Sequence, residues 1–203
     1  MTLLALLRHG QTEWSAQGRI QGRTDVPLDP VGRAALAQRR VPDEFQRMRV
    51  VTSPLLRCVE TAQLLGLDDP VAEPRIAEMS WGDWEGRHLR DLRDTLGAAM
   101  AANEACGFDF LPPGGESPRR VLARVSQWLA EVAAANAPTL AVAHRGVIRV
   151  VFAAATGWDM LGKPPARLDW SALHVFHLDP RGHPSVFRLN VALVPVSAAG
   201  ARL

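Results

Sequence analysis

Three short apolar segments, each followed at once by polar residues, constrain the fold of this chain more than any other feature. They lie at residues 2–7, 49–52 and 139–143 of the 203-residue sequence. Uninterrupted apolar runs of this length are typical of β-strands that are buried on both faces. Segments with helical periodicity separate them. This alternation predicts an α/β fold with a mostly parallel central sheet flanked by helices on both faces.

The segments between these strands carry the start and stop signals of helices. Ser53-Pro54 and Ser117-Pro118 each predict an N-cap followed by proline at the first helical position. The helix that Ser53 opens is expected to end at Gly66, and the later helix has a strong apolar stripe. Two final strands are expected at 173–178 and 185–191.

The stretch between Gly86 and Pro112 is helical but only loosely patterned. We interpret residues 86–112 as a small helical cap inserted into the fold. A length of 203 residues suits one domain of ~100–200 residues. The expected organisation is therefore a single domain over 1–203 with that insertion.

Composition and charge exclude several classes of partner. No apolar run approaches the ~20 residues of a membrane helix, and the apolar start reaches Arg8 too soon for a signal peptide. Two cysteines, Cys58 and Cys106, cannot form a disulfide framework, which favours a reducing, cytoplasmic compartment. The net charge is +2 and the basic residues do not cluster, so no nucleic-acid partner is expected. A homodimer is expected only because dimers are common.

Polar residues follow each of the three apolar strands. Arg8 and His9 follow the first strand, Ser53 and Arg57 the second, and His144 the third. Because ligands of open α/β sheets bind outside the carboxyl ends of the strands, we expect these residues to converge at one edge. Two guanidinium groups and two imidazoles suit a tetrahedral dianion.

This set of residues predicts phosphoryl transfer. A neutral His9 nitrogen would attack phosphorus, while Arg8, Arg57 and a protonated His144 hold the other oxygens. Glu78 would protonate the leaving oxygen and then activate water. Its neighbours Trp81 and Trp84 would form an apolar wall that raises the carboxyl pKa.

Six ordered segments resemble the histidine phosphatase (phosphoglycerate mutase-like) superfamily. The first is Leu7-Arg8-His9-Gly10-Gln11-Thr12-Glu13-Trp14. The others, over roughly residues 2 to 158 in all, are Gly18-Arg-Ile-Gln-Gly22-Arg23 with Pro27-Leu28, Thr52-Ser-Pro-Leu-Leu-Arg57 with Glu60-Thr61-Ala62, Glu78 before Gly82-Asp-Trp-Glu-Gly86, Pro113-Gly-Gly-Glu116-Ser117, and Ala143-His144-Arg145-Gly146-Val147-Ile148-Arg149.

The resemblance implies a phosphohistidine mechanism with His9 as nucleophile and Glu78 as proton donor. It implies a phosphate pocket of Arg8, Arg57 and His144, and it implies that neither a metal nor a nucleotide cofactor takes part. We add Ser15, Gln21 and Gly22 as further phosphate contacts. For Ser15, capping of the following turn is an equal alternative. Arg57 pairing with Glu60, and Asp83 or Glu85 as the acid, stay open as alternatives.

The chain departs from the family pattern at two positions. Ser15 stands where the family commonly has asparagine, and Arg145 stands where it commonly has glycine. Arg145, Arg87 and His88 are treated as surface residues, with a substrate contact by Arg145 left open.

We therefore predict a phosphatase that acts on a small-molecule phosphomonoester, with no cofactor. His174 and His177 would lie on opposite faces of a strand, so no metal site is expected there. A phosphoglycerate mutase and an inactive phosphate-binding module are the alternatives. Mutases of this type resemble longer chains with a larger, more basic insertion after the acid segment. Here only residues 86–112 lie in that place, and this favours hydrolysis. The substrate is left open.

Overall fold

A six-stranded sheet forms the centre of the computed structural model, which describes residues 1–196. The strands are β1 (Thr2–Arg8), β2 (Arg39–Arg40), β3 (Arg49–Thr52), β4 (Val71–Ala72), β5 (Thr139–Ala143), β6 (Ala172–Leu178), β7 (Pro184–Ala192) and β8 (Val194–Pro195). The helices are α1 (Glu13–Ala16), α2 (Pro30–Ala37), α3 (Leu56–Leu64), α4 (Leu89–Leu96), α5 (Ala98–Glu104), α6 (Pro118–Ala135) and α7 (Arg145–Thr156). Single 3₁₀ turns cover Asp43–Phe45, Pro74–Ile76, Gly82–Trp84 and Gly107–Asp109.

The strand order of the sheet is β4-β3-β5-β1-β6-β7. The first four of these strands are mutually parallel, and β6 and β7 add to the β1 edge as antiparallel strands. β2 and β8 form a separate antiparallel pair. The mostly parallel sheet and its three buried strands are therefore confirmed, as are the two final strands.

Alternate side chains of β1 face two different layers of helices. Leu4 and Leu6 pack in one apolar cluster with α6 and α7. Ala5 and Leu7 pack in a second cluster with α2 and α3. All four side chains are at most 1% exposed. Because a strand with apolar residues on both faces must be covered twice, the sequence pattern and the two helical layers agree.

One of the two predicted helix starts is confirmed and the other is wrong. Ser117 caps α6, with Pro118 at its first position. α3 instead begins at Leu56, whose amide donates to Asp25 Oδ1 at 2.8 Å. Ser53 lies three residues upstream, and its hydroxyl is hydrogen-bonded to the imidazole of His144. A carboxylate from a distant loop therefore supplies the cap that the local sequence had assigned to Ser53.

The segment between Gly86 and Pro112 contains two short helices, α4 and α5. Their buried residues Leu92 and Met100 form a small cluster with Trp84, separate from the two sheet layers. Two helices with their own apolar cluster agree with the expected helical segment, and its designation as a cap insertion stays a prediction. No helix within residues 1–196 has the length and apolarity needed to cross a membrane.

Candidate active site

The carboxyl ends of β1, β3 and β5 bring the predicted polar residues together. The amide of His9 donates to Ala143 O, and the amide of Ser53 donates to Val142 O, both at 3.0 Å. His144 is the residue after β5 and the N-cap of α7. The three polar segments therefore lie side by side at one edge of the sheet, as the strand pattern predicts.

His9 is held in one tautomer by the backbone. Its Nδ1 lies 2.7 Å from the carbonyl oxygen of Gly10. A carbonyl oxygen only accepts hydrogen bonds, so Nδ1 carries the proton and Nε2 keeps a free lone pair. Burial and the charges of Arg8 and Arg57 hold the pKa of His9 well below its usual value. The Nε2 atom of His9 therefore keeps its lone pair free of this backbone contact.

His144 is fully buried beside His9, and their ring centroids are 5.3 Å apart. Its Nε2 is 2.7 Å from Ser53 Oγ and 3.4 Å from Cys58 Sγ. Burial, with His9 and Arg57 as further causes, holds the pKa of His144 well below its usual value. Burial among cations therefore disfavours a further positive charge on His144, and its protonated form beside a bound phosphate stays a prediction.

Two arginines each have a buried Nε atom at this edge of the sheet. Arg57 is fully buried and donates to the carbonyl oxygens of Gly22 and Thr24, at 2.8 and 2.9 Å. The Nε atoms of Arg57 and Arg8 are buried, and among residues 1–196 they have no hydrogen-bond partner. Burial lowers the pKa of both arginines. Buried donors without partners are costly unless a ligand satisfies them, and an anion would do so.

Arg57 does not pair with the carboxylate of Glu60. Glu60 instead forms an ion pair with Arg33 at 2.5 Å and accepts from the amide of Leu28 at 2.8 Å. This alternative from the sequence is therefore wrong, and Arg57 is left to hold the loop above the site.

Helix α1 and the loop that follows it contribute neutral polar groups. Ser15 forms a reciprocal capping box with Thr12 and also lines the cavity, so capping is confirmed and the phosphate contact stays a prediction. Thr12 Oγ1 donates to Gln21 Oε1 at 2.8 Å. This bond leaves the Nε2 amide of Gln21 free to donate toward the cavity, which Gly22 also lines.

Glu78 lies over the first turn of α7. Its Oε1 accepts from the amide of Met79 at 2.8 Å and from the amide of Gly146 at 3.1 Å. Trp81 lines the cavity beside it, whereas Trp84 is buried in the small cluster with Leu92 and Met100. Backbone amides from two segments therefore fix this carboxylate, and only one of the two expected tryptophans accompanies it.

Glu85, a rival acid in the sequence, has a different position. Its carboxylate accepts from the amides of Arg23, Thr24 and Trp81 at 2.8–3.1 Å. Burial acts to raise the pKa of Glu85, but the bonds from Thr24, Arg23 and Trp81 outweigh it and lower that pKa. An ionised, fully bonded carboxylate does not suit a proton donor.

These groups surround a cavity of about 670 Å³. Arg57 and His144 are buried and do not line it. Among residues 1–196, no group of three or more histidine, cysteine, aspartate or glutamate residues is placed to hold a metal ion. Six of the eight predicted site residues line the cavity, namely Arg8, His9, Ser15, Gln21, Gly22 and Glu78.

Sequence reasoning placed Ser53 at this edge but missed its contact with His144, and it gave no site role to Cys58 or Arg149. Ser53 and Cys58 contact His144, and Arg149 lines the cavity. The sheet and the two histidines define the class: an α/β protein whose polar residues converge at the carboxyl edge of its sheet, where two arginine Nε atoms have no partner among residues 1–196.

The comparison with family models identifies the particular family. The model of the histidine phosphatase superfamily (branch 1) matches residues 4–191. The chain belongs to this superfamily, and the resemblance in its sequence is confirmed.

Named relatives include phosphatases and mutases. The glucosyl-3-phosphoglycerate phosphatase of Mycobacterium tuberculosis (strain CDC 1551 / Oshkosh) is 34% identical over 179 residues, covering 78% of this chain and 79% of the relative. The 2,3-bisphosphoglycerate-dependent phosphoglycerate mutase of Methylobacterium sp. (strain 4-46) is 36% identical over 132 residues, covering 61% and 64%. A solved structure of a mycobacterial glucosyl-3-phosphoglycerate phosphatase with inorganic phosphate is 28% identical, with a TM-score of 0.74 over 95% of this chain and 98% of that one.

Proposed function

We propose that this protein hydrolyses phosphomonoesters by two successive in-line phosphoryl transfers, first to His9 and then to water. The observation that carries the proposal is the 2.7 Å contact between His9 Nδ1 and Gly10 O, which leaves Nε2 as the nucleophile. The substrate is a small-molecule phosphomonoester, and no metal or other cofactor takes part.

In the first transfer, the lone pair of His9 Nε2 forms a bond to phosphorus and the bond from phosphorus to the ester oxygen breaks. Glu78 in its protonated form gives its proton to that oxygen, so the alcohol leaves neutral. The product is an alcohol and an N-phosphorylated His9. In the second transfer, water attacks phosphorus, Glu78 takes a proton from the water, and the P–N bond breaks to release phosphate and restore His9.

The pocket beneath the cavity stabilises the transferring group. Arg8 and Arg57 are the two guanidiniums, and each holds a buried Nε donor without a partner among residues 1–196. These donors can bind the equatorial oxygens, where charge concentrates during transfer. His144 is the third buried group, and an arriving dianion would favour its protonated form. Ser15, Gln21 and Gly22 complete the proposed phosphate contacts from the loop above.

Phosphoglycerate mutase activity is the second candidate, since one relative of 36% identity is such a mutase. Hydrolysis has more support, because the match to a named phosphatase covers 78% of this chain against 61% for the mutase. We also propose a single domain over 1–203 with a cap at 86–112, a cytoplasmic location and a homodimer.

The test is phosphate release in the presence of a chelator, with 4-nitrophenyl phosphate and a panel of natural monoesters. We expect release by the natural chain and by His183→Ala, a control histidine that is exposed and hydrogen-bonded to Asp179 at 3.0 Å. We expect none from His9→Ala. Labelled phosphate should be trapped on the natural chain under alkaline conditions, where a phosphohistidine survives.

Three outcomes would contradict the proposal. Phosphate release that survives in His9→Ala would show that His9 is not the nucleophile. Interconversion of 3- and 2-phosphoglycerate that depends on bisphosphoglycerate and outruns phosphate release would favour the mutase. Tight binding of inorganic phosphate with no turnover of any monoester would indicate a binding module.

A further inference from the structure

Two arginines on the first turns of α7 line the cavity beyond the phosphate pocket. Arg145 and Arg149 are four residues apart, so their side chains project from the same face of the helix. Both line the cavity that contains His9 and Glu78. The charge of Arg145 lowers the pKa of Arg8 after burial does. Arg149 lies about 6 Å further along the helix axis.

Neither of these cations is neutralised by the protein. Within the described range 1–196, no carboxylate lies within ion-pair distance of Arg145 or Arg149. The other carboxylates that line the cavity are already engaged. Glu104 is paired with Arg93 at 2.7 Å, and Glu78 accepts from backbone amides.

Aromatic rings hold both guanidinium groups in place. The Cζ atom of Arg145 is 5.0 Å from the ring centroid of Trp170, and that of Arg149 is 4.9 Å from Trp158. Burial lowers the pKa of Arg149, and the charge of Arg145 lowers it further. Like charges one helical turn apart destabilise a helix unless something compensates them. An oxyanion bound between the two would provide that compensation.

We infer that Arg145 and Arg149 form a second anion subsite, and that the substrate is a phosphomonoester carrying another oxyanionic group. The phosphate would enter the pocket of Arg8 and His9, while the second group, a carboxylate or a second phosphate, would lie against the two arginines. This inference rests on the proposed function and specifies its substrate class. A planar guanidinium suits both kinds of oxyanion because it donates two parallel hydrogen bonds.

The test compares matched pairs of monoesters. Glycerol 3-phosphate and 3-phosphoglycerate have the same phosphate ester and neighbouring hydroxyl, but only the second has a carboxylate at the far carbon. Fructose 6-phosphate and fructose 1,6-bisphosphate differ by a second phosphate. The measured quantity is the ratio of kcat/KM between the members of each pair. A charge-assisted hydrogen bond predicts a preference of about 10- to 100-fold for the more acidic member of at least one pair.

Three variants locate the origin of this preference. Arg145→Gln and Arg149→Gln should each lower the ratio about tenfold. Arg90→Gln is the matched control, because Arg90 lies on α4 outside the cavity and is highly exposed, 3.9 Å from Asp94. It removes the same charge and should leave the ratio within about twofold, since a distant exposed charge is screened by salt. The pair that shows the preference identifies the second group as carboxylate or phosphate.

Binding to the His9→Ala variant separates this inference from the proposed function. Calorimetry of the same four compounds measures the preference without turnover, and adding Arg149→Gln to that background should remove it. If the natural chain hydrolyses monoesters but shows no preference in either pair, or if the preference persists in both arginine variants, the second subsite is refuted and the hydrolase stands. If no monoester is hydrolysed, the hydrolase is refuted, and the binding preference still decides the subsite.

Discussion

A methyl group added at Gly146 should separate the catalytic role of Glu78 from the stability of the fold. Gly146 is the second residue of α7, and its amide donates to Glu78. A Cβ atom at this position would lie less than 3.0 Å from Glu78 Oε1 and 3.4 Å from the Cβ of Met79. Ordinary contact begins at about 3.4 Å, so the carboxylate oxygen must retreat by about 1 Å.

This displacement should cost activity rather than stability. A shift of about 1 Å in a catalytic group can slow a reaction about 100-fold, within the ~10²–10⁴-fold that general acid catalysis contributes. The clashing atom is the far end of a flexible side chain, so the backbone need not move. Alanine is also favoured over glycine inside a helix by about 0.5–1 kcal/mol, which offsets the weakened bond from the amide to the carboxylate. The free energy of unfolding of Gly146→Ala should therefore stay within about 1 kcal/mol of the natural value.

The assay measures kcat/KM for an alkyl and an aryl monoester, because this constant reports transfer to His9. Glycerol 3-phosphate has a poor leaving group that needs a proton donor, so its kcat/KM should fall about 100-fold. The 4-nitrophenolate group of 4-nitrophenyl phosphate leaves without much help from a proton donor, so kcat/KM for this ester should fall far less. In a Glu78→Ala background, where no carboxylate is left to displace, adding Gly146→Ala should not lower kcat/KM any further.

Two results would refute this reasoning. An unchanged kcat/KM for glycerol 3-phosphate in Gly146→Ala would show that the position of the Glu78 carboxylate is irrelevant to the reaction. An equal further loss in the Glu78→Ala background would show that the methyl group acts through something other than this carboxylate.

Three further predictions concern groups around the buried centre. Ser53→Ala removes the 2.7 Å hydrogen bond to His144 and should lower kcat/KM about tenfold with little change in thermal stability; an unaltered rate would show that this bond does not position the ring. Glu85→Gln weakens the bonds to the loop whose carbonyls hold Arg57. The dissociation constant of inorganic phosphate, measured by calorimetry, should therefore rise several-fold, and the free energy of unfolding should fall by about 1–3 kcal/mol. Burial lowers the pKa of His144 and His174, so below about pH 6.5 the unfolded chain binds more protons than the folded one. The free energy of unfolding should then fall between pH 7 and 5 by at most about 1.4 kcal/mol per pH unit for each histidine. Denaturant titrations at several pH values measure this dependence, and the same dependence on pH in His174→Leu as in the natural chain would contradict the prediction.

Local sequence was sufficient for the architecture. The apolar runs of β1, β3 and β5 have no polar face, and a strand of that kind is stable only between two layers. The cap at Ser117 needs only its own hydroxyl and the amide three residues later, which no distant group replaces. The order of strands and helices then places polar residues at one edge before any distance is known.

Local sequence failed where the decisive partner is distant in the chain. Ser53 has the sequence context of a helix cap, but Asp25 caps α3 and Ser53 contacts His144 instead. The lowered pKa of His144 could not be read from local sequence for the same reason, since its burial among other cations is a property of the packed site. Neither partner is adjacent in sequence, so neither could be found from local propensity.

The sequence by itself determined the class of fold and the chemical groups at the carboxyl edge of the sheet, because strand burial and the ends of parallel strands follow from short patterns. Only the tertiary structure decided which carboxylate lies over Gly146 and which arginines are left without a counter-charge. Those properties depend on which distant segments meet in space, as Glu78 and Gly146 do although they lie 68 residues apart in the sequence. Such pairs exist only once the chain is packed.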